Sequence, residues 1–200
     1  MIVGLTGKYC SGKNFVASML QKRGLSVLDV DTLGYQALES EKEAIIAKFG
    51  SDLRSPDGSL DRRLLGKKVF GNPQKLAALE NIVHPVANRL TEEWLKGKIE
   101  GQSSNSEAEL FINAALLHRS SVFTKLDHII IVKAPFLTRF FRARRRDKLP
   151  WLEILRRFAS QKDFNTQYLA VNAEIYIVEN GYISNQKLEH QIDAFLKRIR

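Results

Sequence analysis

The sequence predicts an α/β fold built on a parallel five-stranded sheet flanked by helices, and three observations carry that prediction. "MIVGL", a glycine loop, the helically spaced "KNFVASMLQKRG" and "SVLDVD" follow one another as strand, loop, helix and strand. Strands joined through such a crossover lie parallel. Three further strand-like runs, "ELFINA" (109–114), "DHIIIVKA" (127–134) and "EIYIVEN" (174–180), come later. Finally, 44% hydrophobic and 26% charged residues in a chain of 200 suit a globular protein with one substantial core rather than a disordered chain.

In the first helix Phe15, Val16, Met19 and Leu20 share a face, and Gly24 reads as its C-terminal cap. "SVLDVD" is expected to carry Asp29 and Asp31 at the C-terminal end of the second strand. From Leu33 to Glu100 the pattern is mainly helical, with loop signals at "SPDGS" (55–59) and "GNP" (71–73). That block is too long for a simple crossover, so a helical insertion is expected. "GQSSNSE" (101–107) reads as polar linker. "PFLTRFFRARRRDKLPWLEILRRFASQ" predicts a basic helix, a break at Leu149-Pro150 and a second helix. "NQKLEHQIDAFLKRI" closes the chain, with Leu188, Ile192 and Leu196 at four-residue spacing.

Composition narrows the function classes. No apolar run approaches the roughly 20 residues that span a bilayer, and the N-terminus is read as carrying no signal peptide. Cys10 is the only cysteine, so no internal disulfide forms, which suits a reducing cytoplasm. The formal net charge of +9 suits nucleic acid, acidic membranes or phosphorylated small molecules. The arginine-rich helix lacks the aromatic interleaving of nucleic-acid readers, so no nucleic acid is expected.

The stretch "GLTGKYCSGKN" carries the chemistry. Gly7, four residues and Gly12-Lys13 frame a phosphate-binding loop between a predicted strand and a predicted helix. Glycine permits the positive φ that turns successive N–H groups inward, and the helix N-terminus adds positive charge. Gly7, Lys8, Tyr9, Cys10, Ser11, Gly12, Lys13 and Asn14 are the candidate triphosphate contacts, with Lys13 reaching the β and γ phosphates. Asn14 stands where Ser or Thr ligates a metal. Its amide oxygen is a weaker metal candidate, and Asp29 is another through water. A positive φ at Cys10 would place its Cβ where it could obstruct the loop. Beside Lys8 and Lys13 its thiol is expected to have a lowered pKa, the alternative being a small packing residue.

These residues resemble the dephospho-coenzyme A kinase family, whose loop reads "GLTGGIGSGKS" and whose second strand ends in "DAD", here "DVD". "DGSLDRRLLGKKVFGNPQKLAALENIVHPV" (57–86) is similar to the family's acceptor-side segment; "RFFRARRRD" with "RRFASQ" resembles its lid, and "IVENG" its last strand and turn. The resemblance covers essentially the whole chain. It implies a P-loop kinase fold with a core of 1–32, 108–136 and 172–200, a helical acceptor-binding region over 33–107 and a helical lid over 137–171. It also implies ATP, with Mg²⁺, and dephospho-coenzyme A as substrates of a cytoplasmic enzyme, monomeric or weakly self-associating. Departures cluster at the metal end: Asn113, Ala115 and Arg119 replace the family's Asp, Pro and Glu, beside Lys8, Cys10 and Asn14.

Residue by residue, Asp31 matches the family's catalytic carboxylate, which accepts or orients the acceptor hydroxyl. Arg139, Arg142 and Arg146 share one helix face; Arg142 and Arg146 are expected on the nucleotide phosphates, the alternative being a solvated basic face. Arg142 joins Lys13 and Asp31 as a catalytic candidate. Asp61, Arg62 and His84 lie in the acceptor-side segment. Arg62 is expected on the acceptor pyrophosphate, while Asp61 doubles as a helix N-cap candidate. His84 either contacts ribose or simply precedes the bend at Pro85. Two other functions stay open: a degenerate protein that binds nucleotide or coenzyme A without efficient catalysis, and a kinase for another nucleoside or nucleotide acceptor.

Overall fold

The computed structural model describes residues 1–101, 109–161, 163–164, 166–168, 172–182 and 184–200. The predicted linker at 101–107 falls, beyond its first residue, outside them. The chain divides into two compact units, one of Met1–Asp29 with Gly101–Arg200 and one of Val30–Glu100.

The first unit is the sheet, with β1 (Ile2–Gly7), β2 (Ser26–Asp29), β3 (Leu110–Asn113), β4 (His128–Lys133) and β5 (Glu174–Glu179) in the order β2-β3-β1-β4-β5. Every pairing is parallel. The order changes direction at β1, where the chain leaves towards β2 and later returns to β4. In open α/β sheets ligands bind at the strand C-termini around such a switch point. Register fixes what meets there: Leu5 is opposite Asn113, Asn113 opposite Asp29, and Gly7 opposite Val132.

A sheet buried on both faces needs nearly continuous apolar strands, and β3 and β4 supply them. On one face Val3, Leu5, Phe111, Ile130 and Val132 pack against Val16 and Leu20 of α1 (Lys13–Lys22) and Leu188, Ile192 and Phe195 of the closing helix (Asn185–Ile199). On the other, Gly4 leaves room for Leu117 and Leu126: a Cβ at Gly4 would lie 2.5 Å from Leu117 Cδ2. Two residues on, the Thr6 and Tyr168 hydroxyls meet at 3.3 Å, both buried. Gly24 ends the first helix as expected, with φ +78 and its N–H donating to Gln21 O at 2.9 Å.

The second unit is helical: α2 (Val30–Ser40), α3 (Lys42–Phe49), α4 (Arg62–Val69) and α5 (Pro73–Glu100) close on Ile45, Ile46, Leu53, Leu60, Leu65 and Val69. One expectation is corrected here. The second strand does not reach Asp31; it stops at Asp29, the last position paired with β3, and Asp31 sits in the first turn of α2. A carboxylate is favoured there by the helix dipole. α5 runs through Pro85 as one 28-residue helix.

In the first unit again, α6 (Phe136–Asp147) and α7 (Trp151–Ala159) form the predicted basic pair, and the closing helix becomes α8. The break between the pair is set by Lys148 in a left-handed conformation (φ +53) and by Pro150 as the residue before α7.

Candidate active site

The glycine loop connects β1 to α1. Ser11 N–H donates to Lys8 O at 2.9 Å, and left-handed residues at Cys10 (φ +59) and Gly12 (φ +96) complete the turn. Cys10 thus does adopt the positive φ that disfavours a side chain. The N-cap of α1 is Gly12, which has no side chain to cap the helix, and the first turn contains no acidic residue. Its leading N–H groups therefore present the positive end of the helix dipole to whatever enters the loop.

Two residues brace the loop from outside. Asn180, 7% exposed at the end of β5, donates from Nδ2 to Ser11 O at 2.9 Å, while its own N–H donates to Lys133 O at 2.7 Å. Arg142 donates from Nη1 to the same Ser11 O at 3.1 Å and from Nη2 to Asn180 Oδ1 at 3.4 Å. The Ser11 carbonyl thus accepts from both residues. Ser11 Oγ is buried and has no hydrogen-bond partner among the described residues. Sequence reasoning gave Asn180 no role; the turn-forming "EN-G" after the last strand was the only signal.

This packing leaves no space at Gly12, where a Cβ would lie 2.1 Å from Asn180 Nδ2. Gly12→Ala should displace Asn180 and strain the positive φ, at a cost of about 1–3 kcal/mol. Thermal unfolding should register the loss, and nucleotide titration should show binding weakened more than tenfold. Wild-type affinity in that variant would contradict the brace.

On the β3 side, Lys13 Nζ donates to Asn14 Oδ1 at 3.1 Å and to Asn113 Oδ1 at 3.2 Å, and Asn113 Nδ2 donates to Asn14 Oδ1 at 3.2 Å. Asn14 and Asn113, 99 residues apart, are thus one network around the loop lysine. On the β4 side, a cavity of about 300 Å³ has Lys8, Lys133, Arg139 and Phe164 in its wall.

Of the arginine stripe, Arg139 is 9% exposed and stacks 4.5 Å from the Phe158 ring. Arg142 braces the loop. Arg146 pairs with Asp147 at 2.6 Å and lies 5.3 Å over the Tyr9 ring. Arg144 and Arg145 are exposed. The expectation of a lowered Cys10 pKa is corrected. Burial pushes the thiol up, which outweighs the opposing pull of Arg146.

The acceptor-side candidates lie in the second unit. Asp61 is the N-cap of α4, accepting from Leu64 N–H at 2.8 Å. Arg62 stacks 5.0 Å from the Tyr35 ring. His84 is half-buried within α5, immediately before Pro85.

Residues 1–185 match the family model described as dephospho-CoA kinase. The chain belongs to the dephospho-CoA kinase family. A dephospho-CoA kinase of Geobacter metallireducens is 34% identical, with 98% of this chain and 96% of that one covered. One from Treponema pallidum is 30% identical over 98% and 94%. Among solved structures, TT1252 from Thermus thermophilus matches with a TM-score of 0.81 at 30% identity, covering 100% of this chain and 98% of that one. In this dephospho-CoA kinase family member the loop residue Asn14 interlocks with Asn113 at the end of β3.

Proposed function

We propose that this protein transfers the γ-phosphoryl group of ATP to the ribose 3′-hydroxyl of dephospho-CoA, yielding CoA and ADP. The observation that carries the reading is the braced loop at the switch point of the sheet. Left-handed turns at Cys10 and Gly12, Lys13 at its end and the uncapped start of α1 together make a cradle for a triphosphate. In the reaction a bond forms between the acceptor 3′-oxygen and the γ phosphorus, and the bond from that phosphorus to the β–γ bridging oxygen breaks. The hydroxyl proton passes to the Asp31 carboxylate, and the leaving charge stays on ADP. Such a transfer depends on positioning and on fixed positive charge more than on a strong base.

Lys13 and the loop N–H groups hold the β and γ phosphates. Arg142 braces the cradle through the Ser11 carbonyl, and Arg146 is the lid's phosphate contact. Arg62 and His84 are assigned to the acceptor. Asp61, whose side chain caps α4, supports that segment structurally.

ATP-using kinases of this kind work with a divalent metal, and Mg²⁺ with ATP is the expected form. The described residues do not fit a directly ligated ion. Asn14 Oδ1 already accepts from Lys13 and from Asn113, and among the described residues no cluster of three His, Cys, Asp or Glu side chains could hold a metal. No step is therefore assigned to a protein-bound ion. The alternative weighed from the sequence, a nucleotide binder with little turnover, is not favoured by the family match.

No helix among the described residues is long and apolar enough to cross a membrane. A cytoplasmic enzyme, monomeric or weakly self-associating, is the accompanying proposal. The test is ADP release measured side by side with dephospho-CoA, adenylate and uridine as acceptors. Turnover with dephospho-CoA alone is expected. Tight ATP binding with no turnover on any acceptor would replace the kinase reading by the binder.

A further inference from the structure

Tyr9 stands in the loop where the family pattern has an aliphatic residue, and the lid converges on it. Its N–H donates to Gln161 Oε1 at 2.7 Å, just beyond α7. Its carbonyl accepts a long bond from Arg139 Nη1 at 3.5 Å. Its hydroxyl donates to Asp147 Oδ2, at the end of α6. Its ring meets Phe158 edge-on at 5.7 Å and lies beneath two guanidinium groups, Arg146 at 5.3 Å and Arg157 at 5.5 Å. Asp147 gathers the same charges: Arg146 donates to it from Nε at 2.6 Å and Nη2 at 3.1 Å, and Arg157 lies 3.8 Å away. Main chain, hydroxyl and ring of one loop residue are thus all engaged by the two lid helices.

We infer that Tyr9 is a positioning residue for phosphoryl transfer, a catch through Asp147 that holds the α6–α7 lid and its Arg146 over the phosphate loop before nucleotide arrives. The inference rests on the kinase reading of the loop. A lid that waits for ATP must be ordered by part of the binding energy, because fixing long side chains costs rotamer entropy. A lid already caught on the loop has met that cost. The arrangement also fits its load. A carboxylate that binds a guanidinium in fork-to-fork fashion presents it in the geometry used for phosphate, so Arg146 is held in a form ready to exchange Asp147 for a phosphate oxygen. The phenol suits the catch because the hydroxyl reaches the carboxylate while the ring face receives the two cations. Burial and the Asp147 carboxylate both raise the Tyr9 pKa, so the hydroxyl keeps its proton and remains a donor.

The test uses the full chain and two variants, Tyr9→Phe and Asp147→Ala. Tyr9→Phe removes only the hydroxyl and keeps the ring beneath Arg146 and Arg157. Each variant should raise the KM for ATP about three- to tenfold with kcat changed less than twofold. The double variant should be no worse than the poorer single one, since both remove the same contact. Trypsin should cut faster at the exposed Arg144 and Arg145 in each variant without nucleotide, and saturating ATP should restore protection. These proteolysis readings need no turnover, so they separate failure of the catch from failure of the kinase reading. An unchanged KM with unchanged proteolysis in Tyr9→Phe overturns the inference, as do additive effects in the double variant. A drop in melting temperature with KM and lid cleavage unaltered also overturns it, by making the contact merely structural.

Discussion

Lys13→Met is expected to lower kcat/KM for ATP by about 10²- to 10³-fold, the usual effect of losing one preorganised donor at a developing negative charge. Lys13 is the first residue of α1, so its ammonium adds to the positive end of the helix dipole. Its contacts to Asn14 and Asn113 at 3.1 and 3.2 Å hold it beside the loop at the end of β3. Methionine matches the length of the stem and removes the charge. Each lost hydrogen bond is of the kind worth about 0.5–1.5 kcal/mol in stability, so the variant should remain folded and its circular dichroism should match the wild type. A kcat/KM within threefold of wild type in the folded variant would show that this loop is not where the triphosphate is held.

Asp31→Asn should reduce kcat by roughly 10²- to 10⁴-fold, the range for loss of a positioned base, and leave the KM for ATP nearly unchanged. The separation follows from the roles proposed. ATP is held by the loop and lid, whereas Asp31 acts on the acceptor hydroxyl. Asparagine preserves size and an accepting oxygen but cannot take a proton. The cost to folding includes the loss of a charge in the first turn of α2, worth about 0.3–1 kcal/mol against the helix dipole. Single-turnover phosphoryl transfer would isolate the chemical step from product release. Wild-type rates in that measurement would remove Asp31 from the mechanism and return attention to Asp29.

What could be read directly from the residues differs by kind of information. The loop was legible because its requirements are local: positive φ at Gly12, a lysine beside it, and a strand and helix on either side. The central strands β1, β3 and β4 were legible because burial on both faces demands apolar runs such as "HIIIV". The end of β2 was misplaced because "SVLDVD" keeps a strand-like look beyond the point where β3 stops pairing with it, and pairing is a property of two segments. The Cys10 thiol was misjudged for a related reason. Nearby lysines are visible in sequence, whereas the depth at which the sulfur is buried is not.

The sequence by itself determined the family, through the resemblance of its motifs along the whole chain, and the parallel α/β architecture and the candidate phosphate loop, because periodicity, glycine placement and short spacings act between neighbours in the chain. Only the tertiary structure decided which distant groups complete that segment: Asn180 and Arg142 on the Ser11 carbonyl, Asn113 with Asn14 and Lys13, and Tyr9 with Asp147. Those contacts join residues between 99 and 169 positions apart. Such partners are selected by strand order and helix packing, which bring side chains together irrespective of their distance along the polypeptide.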